Sequence, residues 1–157
     1  MVHRRIESVV FQTRFGGVKA ALEDQGNCFQ ACVATILRIP LDSAFDCVPF
    51  APGDWFPAFN EWLRRYNLGC IYITATDAGR VPCTALVGTH IAEWLSTGCS
   101  DGTLHAVVMR DGQVVHDPNP YTKGQGKFEG MYLFVPIDPS QLIHPTDTYT
   151  ARAKTTG

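Results

Sequence analysis

Twelve consecutive residues, Cys28-Phe29-Gln30-Ala31-Cys32-Val33-Ala34-Thr35-Ile36-Leu37-Arg38-Ile39, are broken by only three polar side chains and sit between Asn27 and Pro40. Apolar positions recur at 28, 31, 32, 36 and 39, and again at 29, 33 and 37. That is helical spacing on more than one face, so the helix must be covered on most sides. Asn27 is a favourable N-cap residue, and Pro40 cannot continue a helix. Whatever the rest of the chain builds, it must wrap this segment.

The flanking sequence supplies the layers. Trp55, Phe59, Trp62, Leu63 and Tyr66 form an apolar stripe at helical spacing. Asp54 is placed to cap that second helix, Pro57 falls in its tolerant first turn, and Asn67 and Gly69 close it. Val9 to Thr13 reads as a short strand broken by Phe15-Gly16-Gly17, followed by a polar connection over Val18 to Gln25 with one helical turn. Leu41 to Asp46 adds another short turn. Cys70 to Thr74 is β-branched and alternating, Val81 to Val87 is similar, and Met131 to Ile137 is a last strand. Thr89 to Ser96 reads as a short helix; Gly98 to Gly102 and Lys123 to Lys127 read as loops. Leu104 to Arg110 and Gln113 to Asp117 flank Asp111-Gly112, a strong hairpin signal. Helices first and an antiparallel run of strands afterwards predict an α+β fold. One domain over residues 1–138 is expected, with a loosely ordered tail over 139–157.

Composition excludes several classes. The net charge is −2, and the 13 Lys and Arg residues are scattered, which does not suit a nucleic-acid binder. No stretch reaches the ~18 apolar residues of a membrane span. The N-terminal charges His3, Arg4 and Arg5 are not followed by a long apolar run, so no secretory signal is expected. Six cysteines stand at 28, 32, 47, 70, 83 and 99 with no C-x-x-C pair. They are expected to be reduced and mostly buried, in a cytoplasmic protein. A zinc site from Cys28, Cys32, His105 and His116 would lack the usual short ligand pairs, and no metal or cofactor is expected.

Chemistry enters at Cys28. Directly after Asn27, it lies in the first helical turn, where free N–H groups and the helix dipole favour a thiolate. Cys32 is one turn deeper, where that field is spent. His105 opens the first hairpin arm and Asp117 closes the second, so pairing of the arms offers a base with an orienting carboxylate. His116 is a rival base, and His90 fits a surface or helix-start role. A plain two-residue turn at Asp111-Gly112 would place Asp117 opposite Ala106 and turn it away from His105. A bulged three-residue connection, with Gly112 at positive φ and Met109 facing Gln113, would put His105 opposite Asp117. The bulged form is therefore expected. An oxyanion hole could combine the Cys28 N–H with a glutamine side chain, Gln12 or alternatively Gln25.

The segment Gln25-Gly26-Asn27-Cys28-Phe29-Gln30-Ala31-Cys32-Val33-Ala34 resembles the nucleophile helix of papain-like cysteine peptidases. His105-Ala106-Val107-Val108 and Val115-His116-Asp117-Pro118-Asn119-Pro120 resemble their His and Asp/Asn strands. With Gln12-Thr13 ahead and Ile39-Pro40-Leu41 behind, the set is similar to small papain-like proteins of bacteriophages and prophages. The resemblance spans about residues 9–50 and 104–120. It implies a papain-like nucleophile helix packed on an antiparallel sheet, with a Cys28, His105, Asp117 triad and Gln12 in the oxyanion hole. It also implies cleavage or transfer at an amide, peptide or isopeptide bond of a peptide or protein substrate. The host cytoplasm would be the setting if the chain is phage-encoded. An acyl transferase with the same residues, or a binding protein that antagonises host defence on the same scaffold, are the alternatives.

Overall fold

A computed structural model describes residues 8–17, 19–74, 84–91, 104–110, 113–122, 125–138 and 140, with the backbone alone for 74, 84–91 and 125–129. Two helices lie on one five-stranded antiparallel sheet, so the α+β expectation holds. Helix α1 spans Cys28–Leu37 and α2 spans Trp55–Leu63. The strands are β1 (Leu68–Thr74), β2 (Thr84–Ile91), β3 (Leu104–Arg110), β4 (Gln113–His116) and β5 (Gln125–Pro136). Their order across the sheet is β1-β5-β2-β3-β4. The expected tail from residue 139 onward and the Gly98–Gly102 loop lie outside the described residues, apart from Ser140.

The apolar run forms its helix as expected, and eight of its ten residues are buried. It stops at Leu37, earlier than the pattern suggested. Arg38 takes the left-handed conformation at φ 55°, and the Ile39 N–H returns to the Ala34 carbonyl at 3.0 Å. Pro40 therefore stands beyond an end already made by the backbone. Helix α1 packs on β3 and α2 on β1. Phe29, Val33 and Leu37 of α1 meet Phe59 and Leu63 of α2, with Leu68 of β1 and Ala106 and Val108 of β3 beneath. Phe59 joins them, its ring within 5.1 Å of Phe29, 5.3 Å of Phe45 and 5.8 Å of Phe134. Phe29 adds edge-on contacts to Trp55 at 5.2 Å and Tyr132 at 5.5 Å.

Several local expectations are corrected. Residues Thr89 to Ile91 belong to strand β2 rather than a helix, paired with β3 through Thr89↔His105. Residues 92 to 96 are not described. The loop expected over Lys123 to Lys127 is partly strand, because β5 begins at Gln125. Pairing with β2, where Ile91 faces Gln125 and Thr89 faces Phe128, outweighs the low strand propensity of Gly126. Val9 to Thr13 forms no ladder; hydrogen bonds to the Thr35, Asn27 and His116 side chains and to the Pro118 carbonyl hold it instead. Neither Asn27 nor Asp54 makes a side-chain cap.

Candidate active site

The hairpin register places the base and its carboxylate. Arg110 pairs with Gln113 and Met109 with Val114, which is the plain two-residue connection and not the expected one with Met109 facing Gln113. Asp111 and Gly112 themselves, and hence the expected positive φ, lie outside the described residues. The ladder then shifts by one: Val108 pairs with His116, leaving Val115 as the extra residue of a β-bulge in β4. Continued one residue further, this register sets Asp117 across from Val107, on the same side of the ribbon as His105. The bulge was expected at the turn and occurs inside the strand, with the same consequence for the pair. The His105 Nε2 lies 2.7 Å from Asp117 Oδ1.

The other side of the imidazole meets Cys28. His105 and Cys28 share a side-chain hydrogen bond, and the Asp117 contact at Nε2 leaves Nδ1 for the sulfur. Burial opposes a charge on Cys28, but the His105 hydrogen bond and positive charge, with the Ala106 and Phe29 N–H groups, bring the thiol below its ordinary range. Burial likewise opposes protonation of His105; the hydrogen bonds to Asp117 and Cys28 and their charges overcome it and raise the ring to about 9. Both shifts favour one state, thiolate beside imidazolium. Cys28 is half-buried as a residue, unlike Cys32 and Cys70, which are buried.

The remaining described cysteines move the other way. Burial pushes Cys32 well up, and it pushes Cys47 and Cys70 to about 12 each. Cys32 lies fully buried one turn beneath Cys28, as expected for a structural thiol. Cys83 and Cys99 fall outside the described residues. Among the described residues no group of three or more His, Cys, Asp and Glu is placed to hold a metal ion.

His116, the rival base, faces elsewhere. Its Nε2 donates to the Val10 carbonyl at 2.8 Å, and its ring meets Phe11 edge-on at 5.2 Å. Together with the Val10 N–H bond to Thr35 Oγ1, this ties residues 9–12 to both the sheet and α1. The His90 side chain is outside the described residues. Gln12 is 4% exposed, and its backbone N–H donates to the Pro118 carbonyl at 3.0 Å. Its side-chain nitrogen donates to the Arg14 carbonyl at 2.8 Å, and a methyl group built on Gly26 would stand 3.9 Å from that nitrogen. The Gln12 amide thus lies against the segment leading into Cys28. The Gln25 side chain turns back to the Ala20 carbonyl at 3.1 Å, within its own loop.

Asn27 does something the sequence did not suggest. Its Oδ1 accepts the Thr13 and Arg14 N–H groups, each at 3.0 Å, and its Nδ2 donates to Thr13 Oγ1 and Gln30 Oε1. Two acceptor and two donor positions are all used, in a buried residue. Asn27 therefore fastens the Gln12 segment to the start of α1. Replacing it by alanine leaves two N–H groups without that acceptor, and we expect Asn27→Ala to cost about 2–3 kcal/mol in urea unfolding. A loss under about 0.5 kcal/mol would mean these bonds are replaced by water.

No protein-family model, curated protein or solved structure matches this chain.

Proposed function

We propose that the protein is a papain-like cysteine hydrolase acting on an amide, peptide or isopeptide bond through Cys28, His105 and Asp117. The observation that carries this reading is the meeting of Cys28, at the first position of α1, with His105, whose Nε2 lies 2.7 Å from Asp117 Oδ1; the thiols are displaced accordingly. Of the four described cysteines, only the one hydrogen-bonded to a histidine at a helix start is favoured as a thiolate. A buried structural cysteine has no use for such surroundings.

In this mechanism the Cys28 thiolate attacks the carbonyl carbon, and the carbonyl π-electrons move onto oxygen. The Cys28 backbone N–H, free of a helical partner at the first position, and the Gln12 amide receive the oxyanion. As the tetrahedral adduct collapses, the C–N bond breaks and His105 gives its proton to the departing amine. A thioester on Cys28 remains. The now neutral His105 takes a proton from water, the hydroxide adds to the thioester carbon, and the C–S bond breaks to release the acid and regenerate the ion pair. Asp117 keeps the ring oriented and favours its protonated form.

An activated acyl ester tests this directly. Wild-type protein should gain one acyl mass on Cys28 and then lose it to water; an added amine that traps the acyl group would identify a transferase instead. Acyl groups spread evenly over several cysteines, or permanent on Cys28, would sink the hydrolase reading. A binding protein on the same scaffold would show no acylation and would keep its biological effect as Cys28→Ala.

A further inference from the structure

The segment after β4 carries a residue that the triad logic does not use. Asn119 is 2% exposed. Its backbone N–H donates to Asp117 Oδ1 at 2.9 Å, the same oxygen that receives His105 Nε2 at 2.7 Å. Its own Oδ1 accepts the Tyr121 N–H at 2.9 Å. Asp117 and Asn119 thus form two successive Asx turns, each side chain receiving the N–H two residues on. The carbonyl between them, on Pro118, accepts the Gln12 N–H.

We propose that Asn119 is a positioning residue of the site, locking the 117–119 turn so that one segment fixes both the Asp117 carboxylate and the Gln12 backbone. The inference rests on the reading of Cys28, His105 and Asp117 as the reacting set. Three features carry it beyond ordinary turn chemistry. Asp117 keeps 20% side-chain exposure, so without a fixed donor its carboxylate could rotate toward water. Proline at 118 restricts Asp117 to extended backbone, which makes the turn a rigid link rather than a hinge. And Asn119 Nδ2 is buried with no hydrogen-bond partner among the described residues. An unpaired buried amide costs stability, so a residue chosen only for packing would be better served by an apolar side chain. The retained cost fits a side chain whose acceptor oxygen is needed where it stands.

Asn119→Ala removes the acceptor for Tyr121 N–H and frees the turn, so the Asn119 N–H no longer aims at Asp117. The pH dependence of Cys28 alkylation by iodoacetamide, read by peptide mass, reports the consequence. Weaker support for imidazolium should raise the half-maximal pH of Cys28 modification by about one unit in Asn119→Ala. Asn119→Ser, whose hydroxyl can close a similar turn, should recover part of the shift. Asn60→Ala serves as a stability control: it deletes the acceptor of the Cys70 N–H, held at 2.7 Å, in a part of the core the site does not use. It should lower the unfolding midpoint and leave the profile in place. An unchanged profile in a folded Asn119→Ala protein overturns the inference while the nucleophile reading stands. A wild-type profile centred near that of an ordinary thiol overturns both. If Asn119→Ala does not fold, Asn119→Ser alone decides: a profile displaced upward supports the inference, and one matching wild type overturns it.

Discussion

At pH 6, iodoacetamide should modify Cys28 tens of times faster than Cys32, Cys47 or Cys70, and His105→Ala should abolish that advantage. A thiol with an ordinary pKa near 9 is about one part in a thousand thiolate at pH 6. Against Cys47 and Cys70 at about 12, a thiol lowered below 9 gains about a thousandfold or more in thiolate at pH 6 and loses about thirtyfold in intrinsic nucleophilicity over three units, a net of about thirtyfold. Burial adds to the contrast, because Cys32 and Cys70 are both inaccessible and pushed up. The profile should rise at the lowered pKa of Cys28 and change again near pH 9, where His105 loses its proton. Hydrolysis should fall at that second step, because the leaving amine then has no proton donor. Peptide mapping after timed quenching measures the rates, and equal labelling of all the cysteines would remove the ion pair from consideration.

Stability carries the same signature. His105 is raised, so its contribution is full below its unfolded value of 6.5 and is lost as pH climbs through about 9. Cys28 is lowered, so its contribution is full above its unfolded value of 9.0 and is lost as pH falls through its folded value. Between 6.5 and 9 the unfolded imidazole is neutral while the folded ring keeps its proton, and the folded thiol gives up its own once pH exceeds its lowered value. Below that lowered value the thiol carries its proton in both states, so acid weakens the fold by way of Cys28.

The sequence exposed these groups because each rests on a local rule. The apolar run forced a buried helix, a cysteine in its first turn is privileged by the free N–H groups there, and a Asp-Gly pair announces a hairpin. What it could not expose was register. A two-residue turn followed by a bulge at Val115 and a three-residue turn without one both bring His105 and Asp117 to one side, and no local preference separates them. Side-chain partnership across distance was equally hidden. Asn27 was readable as a cap, but its hydrogen bonds go to Thr13 and Arg14, fourteen and thirteen residues away. His116 looked like a second base until Val10 claimed its ring. The double Asx turn at 117–119 was the exception: Asp-Pro-Asn-Pro is a local signal, and its turn chemistry could have been read directly.

Phe59→Ala should be the most damaging substitution for the fold, costing about 4 kcal/mol and lowering Tm by about 10 °C. Phe59 is fully buried and touches aromatic rings from both helices and from β5, so no single element can relax to fill the void. Trp62, half-buried on the same helix with the Arg65 guanidinium over its ring at 5.2 Å, should cost less when truncated, because water reaches the vacated space. The distinction matters for the site. Phe59 holds Phe29, and Phe29 follows Cys28 directly and gives the sulfur its N–H. The hydrogen bonds that set the thiolate come from His105 and Ala106 of β3 and from the Phe29 N–H at the helix start, and that start is fastened through Asn27 to Thr13 and Arg14 independently of the Phe59 ring. Well below its melting point, Phe59→Ala should therefore keep the Cys28 alkylation profile of the wild type while unfolding at far lower urea. A profile displaced together with the midpoint would mean that the start of α1 is held by the aromatic core rather than by its polar neighbours.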